Sequence, residues 1–252
     1  MKHVYTIHAG RIMNYFLYRF LSALFATFLF VGAALADPAG ARIVAPPPNL
    51  DALKQQLLTY KTSGDYERGV AAVAAQAQAY IEAHAAGAVK PALVLDIDET
   101  ALSNWPRIIA DDFGYIPSGA CNRLPRGPCG SIAWEMMAKA PAIEPTLELF
   151  KAARGRKVAV FFITGRPERE RAATTRNLRR AGYGGWTQLI MKPDGLRLKS
   201  AVDFKAPQRA KIAARGYTII ANMGDQPSDL AGGHPDDPAA QFLLPNPFYR
   251  IP

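Results

Sequence analysis

From Ala92 onward, five short apolar runs, at 92–95, 158–163, 188–191, 218–221 and 242–244, alternate with helical stretches at about 144–153, 168–181 and 207–214. Strands separated by helices cannot pair through tight hairpins; the crossovers leave neighbouring strands parallel. The chain is therefore expected to adopt an α/β fold, a mainly parallel sheet flanked by helices. Two helices are predicted ahead of the sheet. Asn49 caps a stretch with Leu50, Leu53, Leu57 and Tyr60 at helical spacing. An alanine-rich helix follows over about 65–86, with Val70, Val73, Ala77 and Tyr80 on one side and Gly87 as its stop. Both are expected to brace the core. Residues 101–142 break the alternation. They form a long insertion after the first strand that holds Trp105, Phe113, Tyr115, Trp134 and both cysteines, in the position where substrate-covering caps sit.

With 252 residues and 49% hydrophobic content the chain can bury an ample core, so a folded protein and not a disordered one is expected, with one domain over 49–252. Residues 1–36 carry Lys2, Arg11 and Arg19 and no acid, and end in an uncharged run from Phe20 to Ala36 that closes on Ala34-Leu35-Ala36. This is the layout of a secretory signal peptide, with 37–48 as an Ala/Pro/Gly-rich linker. An uncleaved membrane anchor is the alternative. Both place the domain in the periplasm or outside the cell. A start at Met13 would leave a more compact signal. No cysteine stands just after the apolar run, the only two being Cys121 and Cys129, so a lipid anchor is not expected.

Loss of residues 1–36 lowers the formal charge of +9 by three, so the mature chain stays basic. Such a charge concentrates anionic substrates or is simply a solvated exterior. The Arg-rich stretch 166–180 interleaves Glu168, Glu170 and alanines as an exposed helix face does. It carries no nucleic-acid motif, so no nucleic-acid polymer is expected as a partner. Cys121 and Cys129 lie in a loop with Pro125, Gly127, Pro128 and Gly130. In an oxidising compartment they are expected to form a disulfide, with free thiols as the alternative.

The run Leu93-Val94-Leu95-Asp96-Ile97-Asp98 is an apolar strand ending in two acids two positions apart. Side chains at i and i+2 of extended chain point the same way, so both carboxylates enter one space at the strand's C-terminal end, where open α/β sheets bind ligands. Paired carboxylates recruit a divalent cation or raise one another's pKa, and a carboxylate can also act as a nucleophile. An isolated Asp-x-Asp also occurs in plain turns. The strand before it and Thr100 after it sharpen the signal.

Asp96-Ile97-Asp98-Glu99-Thr100 resembles the first motif of the haloacid dehalogenase superfamily, and Asp96 to Asn104 is most similar to its acid phosphatase branch, which holds bacterial acid phosphatases and plant vegetative storage proteins. Three further stretches fit the resemblance in order: Phe161-Phe162-Ile163-Thr164-Gly165-Arg166, Phe204-Lys205-Ala206-Pro207-Gln208-Arg209 and Asn222-Met223-Gly224-Asp225-Gln226-Pro227-Ser228-Asp229. Leu244 to Tyr249 is similar to the branch's C-terminal signature and is expected to serve packing.

The resemblance implies a Rossmann-like sheet with the Asp96 strand between the Thr164 and Asp225 strands, and a magnesium-dependent phosphatase acting on small phosphate monoesters. Asp96 would be the nucleophile and Asp98 the acid and base, kept protonated by acidic surroundings. Thr164, Gly165 and Lys205 would bind phosphate; Mg2+ would be held by Asp96, Asp225 and the Asp98 backbone carbonyl; Asp229 would hold the lysine or the metal's waters. Lys192 and Lys199 compete with Lys205, and a Thr-Gly helix cap competes with phosphate binding at Thr164. Pro207 departs from the branch pattern but is expected in a first helical turn, where it does little harm. The four aromatics of the insertion either stack a nucleobase or form a small core of their own. A non-catalytic storage protein and a phosphotransferase are the rival functions.

Overall fold

The structure is a computed structural model that describes residues 46–235 and 237–251. The expected signal peptide and nearly all of the linker lie outside these residues. Among the described residues, no helix is long and apolar enough to cross a membrane.

Two helices come first, α1 (Leu50–Thr62) and α2 (Asp65–His84). Asn49 caps α1 as expected, its side chain accepting from Ala52 N at 3.1 Å. The two contribute unequally to the core. α2 buries Tyr66, Val70, Ala74, Ala77 and Ile81, whereas α1 buries no residue fully. Leu50 stays 65% exposed, and α1 braces the core only through the partly buried Leu57 and Tyr60, so α2 carries most of the expected role.

The sheet has five strands, β1 (Pro91–Leu95), β2 (Ala159–Pro167), β3 (Gln188–Lys192), β4 (Thr218–Gly224) and β5 (Gln241–Leu243). Their order is β3-β2-β1-β4-β5, with every pairing parallel. β1 is central and covered on both faces, which is why Ala92 to Leu95 read as an unbroken apolar run. The chain leaves β1 toward β2 and later returns on its other side at β4. The C-terminal end of β1 is thus the crevice where strand order reverses, and where such sheets bind ligands.

The crossovers are α5 (Glu144–Gly155), α6 (Arg171–Arg180) and α7 (Val202–Ala214), with a short α8 (Pro227–Leu230) after β4. Helix α7 starts well before the expected position, which places Pro207 inside the helix instead of in its first turn. One backbone hydrogen bond is lost there, because proline has no N–H. The insertion holds α3 (Trp105–Ala110) and α4 (Ser131–Met137), and Cys121 and Cys129 are disulfide-bonded. Its ends are tied to the core: the Tyr183 hydroxyl donates to Ala101 O at 2.9 Å, and Asn177 both accepts from Ala140 N and donates to Ala140 O.

Candidate active site

The turn after β1 sets the site. Glu99 takes a left-handed backbone conformation, φ 54°, and Ala101 N and Leu102 N both donate to Ile97 O at 2.9 and 2.8 Å. A non-glycine residue in this region is uncommon and needs support. Here the support is the Glu99 carboxylate itself, buried and accepting from Asn104 N, Asn104 Nδ2 and the Tyr249 hydroxyl. Burial pushes that carboxyl up to about 7. The turn leaves Asp96 and Asp98 lining one cavity, as their two-residue spacing requires.

Other strand ends and helices converge on the same place. The cavity is also lined by Gly165 and Arg166 from the end of β2, by Asp225 after β4 and by Lys205 from the N-terminal part of α7. Lys205 Nζ donates to Asp96 Oδ1 at 2.6 Å and also to Asp229 Oδ1. Asp229 is held in turn by Gln226 N, which donates to its Oδ2 at 2.9 Å. Asp229 can lie against the end of β4 only because residue 224 is glycine: a Cβ there would sit 2.3 Å from the Asp229 Cβ.

Asp96, Asp225 and Asp229 are all buried, with ligand oxygens within 4.8 Å of one another. One ammonium among three carboxylates leaves excess negative charge. Burial accordingly pushes Asp96 up, against the pull of Lys205, with Asp229, Asp225 and Asp98 adding to the rise. Asp225 rises to about 6 through burial and the neighbouring Asp229 charge, although it accepts from Asn246 Nδ2, Gln226 Nε2 and the Thr100 hydroxyl. An all-oxygen, buried, electron-rich set is what a hard divalent cation requires, so the residues present fit Mg2+.

Asp98 differs from expectation. Its carboxylate accepts from Arg166 Nε at 3.0 and 3.2 Å, from Arg166 Nη2 at 2.6 Å and from Asn104 Nδ2 at 2.8 Å. Burial alone would raise it. The Arg166 guanidinium and the Asn104 amide outweigh that, and hold it below the usual carboxylate range. The acidic surroundings therefore do not keep Asp98 protonated here.

Thr164 is fully buried and is not among the residues lining the cavity; its Oγ1 accepts from Arg166 N at 3.1 Å within β2, and the helical segments that follow have Pro167 and Glu170 at their N-caps, so it caps neither. Its hydroxyl proton remains free to donate. A Cβ placed on Gly165 would meet no atom within 4 Å, so open space lies over that backbone. Lys192 and Lys199 line the cavity, but neither bonds Asp96, so the contact to the nucleophile candidate is made by Lys205.

Several residues carry more than the sequence reading gave them. Asn246 and Tyr249 bond Asp225 and Glu99, so the C-terminal signature is polar support for the site as well as packing. The stretch 166–180 is only partly an exposed face. Arg166, Glu170, Thr174 and Asn177 are buried, and their helical spacing was the available signal. Glu135 from α4 accepts from the Ser131 hydroxyl at 2.8 Å and lies beside the buried Glu170, and burial together with that acidic neighbour pushes it up to about 8. The four aromatics of the insertion divide. Trp134 is buried with its Nε1 donating to Asn104 Oδ1 at 2.8 Å, and Trp105 packs on Phe113 and Phe248. Phe113 and Tyr115 face the cavity, Tyr115 being 72% exposed.

Known proteins are similar to this chain. The chain is 34% identical over 163 residues to the stem 28 kDa glycoprotein of Glycine max, a match covering 64% of this chain and 61% of that protein. It is 33% identical over 158 residues to acid phosphatase 1 of Solanum lycopersicum, covering 63% and 58% respectively. The match thus spans about three fifths of the length of these curated relatives. The class C acid phosphatase of Bacillus anthracis has the same fold, with a TM-score of 0.61 and 22% identity over 79% of this chain and 86% of that one. The profile of the HAD superfamily, subfamily IIIB (acid phosphatase), matches residues 47–252, and the chain belongs to that family.

Proposed function

We propose that the protein is an exported, Mg2+-dependent acid phosphatase that hydrolyses small phosphate monoesters through an aspartyl-phosphate on Asp96. The observation that carries this reading is the buried cluster beyond the strand ends, in which Asp96, Asp225 and Lys205 line one cavity and Asp229 holds the lysine from behind. The Cys121–Cys129 disulfide supports export, since such bonds persist in oxidising compartments.

Asp96 is the nucleophile, attacking phosphorus in line with the leaving oxygen. Lys205 offsets charge on the phosphoryl oxygens, and the Thr164 hydroxyl with the backbone at Gly165 orients them. Asp96, Asp225 and the Asp98 carbonyl would hold Mg2+, which would supply Lewis-acid polarisation of the phosphate. Asp98 donates a proton to the leaving alcohol and then takes one from the water that attacks the aspartyl-phosphate. Because Arg166 favours its ionised form, Asp98 gains that proton when phosphate charge arrives beside it and when the medium is acidic. An acidic optimum follows.

Purified protein with Mg2+ is expected to hydrolyse p-nitrophenyl phosphate, with a loss of at least about a thousandfold in Asp96→Asn and a loss on chelation. Equal rates in wild type and Asp96→Asn would overturn the reading. They would favour a storage role, as the name of a 32% identical relative, vegetative storage protein 1 of Arabidopsis thaliana, suggests. Activity untouched by chelator would refute the metal.

A further inference from the structure

The cavity above Asp96 has a volume of about 910 Å3, far more than a phosphate group fills, so it has room for the leaving group as well. The charges that line it are sorted by depth. At the floor, Asp96 is bonded to Lys205 and Asp98 to Arg166. At the rim, the segment from the end of β3 to the start of α7 presents Lys192, Arg197 and Lys199.

These three cations have no ion pair or side-chain hydrogen bond among the described residues. Asp194, the single acid of the loop 193–201, is turned away from them: it accepts from Arg169 N at 3.1 Å and from Arg169 Nη1 at 3.4 Å. Arg250, from the C-terminal segment, lines the same cavity and is likewise unpaired among the described residues. The rim therefore gathers uncompensated positive charge from two separate stretches of chain around the space a leaving group occupies.

We propose that this rim is a second anion subsite, and that the preferred substrates are phosphomonoesters whose leaving group carries a further phosphate. The proposal rests on the phosphatase reading and adds the substrate class. A phosphate dianion can accept from several Lys and Arg donors at once, which a single carboxylate does less well. Non-specific attraction of all anions to a basic mouth is the competing account, and it predicts no discrimination.

The test compares glucose 1,6-bisphosphate with glucose 6-phosphate and p-nitrophenyl phosphate in about 0.15 M salt, where long-range attraction is largely screened. In the double variant Arg197→Gln/Lys199→Gln, both positions being exposed, kcat/KM for the bisphosphate is expected to fall about tenfold, mainly through KM. The two monophosphates should change less than about twofold. Equal losses on all three substrates, or no loss on any, would overturn the subsite. Calorimetric binding of the two glucose phosphates to wild type and double variant is the second readout. A wild type that turns over none of the substrates defeats the phosphatase reading. In that event the bisphosphate Kd still decides the subsite, an unchanged Kd in the double variant refuting it.

Discussion

Arg166 is the residue whose consequences reach furthest. It stands one position beyond the Thr164-Gly165 pair, is only 4% exposed, and commits its Nε and Nη2 to Asp98. A buried guanidinium beside a carboxylate favours the charged form, and this is why Asp98 lies below the usual range. If Asp98 must carry a proton to start the reaction, activity falls as pH rises through its pKa in the substrate complex. Arg166→Gln removes the cation, so that pKa rises, and the alkaline limb of the kcat profile is expected to move up by about one pH unit. A profile that keeps its midpoint while the rate drops would assign Arg166 to packing alone.

At the scale of elements, the site depends on how closely β4 and α8 approach. Gly224 ends β4 and leaves room for Asp229, which holds Lys205. Gly224→Ala is expected to displace Asp229 and reduce kcat by about tenfold to a hundredfold while the far-UV spectrum stays native, because a small misplacement at a charged centre is costly. Displacing one partner of a buried pair also costs stability, about 3 kcal/mol or more. The insertion is closed by its disulfide, and Cys121→Ser is expected to lower unfolding free energy by about 2–3 kcal/mol in denaturant titration. Asp111 Oδ1, which accepts from Cys129 N at 2.7 Å, ties the same loop to the turn that follows α3.

For the molecule as a whole, the buried acids set how stability follows pH. Asp225, Glu99 and Glu135 rise to about 6, 7 and 8 in the folded chain, above their values in an unfolded one. Groups raised by folding contribute stability that is complete below their unfolded values, near pH 4, and lost as pH climbs through about 6–8. Asp98 has the opposite sign: its contribution is present at higher pH and is lost as pH falls through its lowered pKa. The metal-free protein is therefore expected to melt at a lower temperature at pH 8 than at pH 5, measured by calorimetry. Mg2+ at a hundred times its Kd should restore about 2.7 kcal/mol at pH 7, a rise of roughly 5–10 °C. A melting temperature that rises from pH 5 to 8 without metal would refute this account of the cluster.

Taken alone, the sequence determined the class of sheet, the position of every strand to within a few residues and the four stretches that meet at one sheet edge. These are local patterns: apolar runs, helical spacing and acids two apart in extended chain, each readable without knowing what lies opposite. Only the tertiary structure decided which side chains face one another across those stretches. It alone put Arg166 on Asp98, Asn246 and Tyr249 on the acids of the site, and Glu135 against Glu170. It also started α7 early enough to place Pro207 inside the helix. Asp98 shows the physical reason most directly. Its ionisation depends on a partner 68 positions away in sequence, and a carboxylate's preference between proton and charge is set by what surrounds it in space.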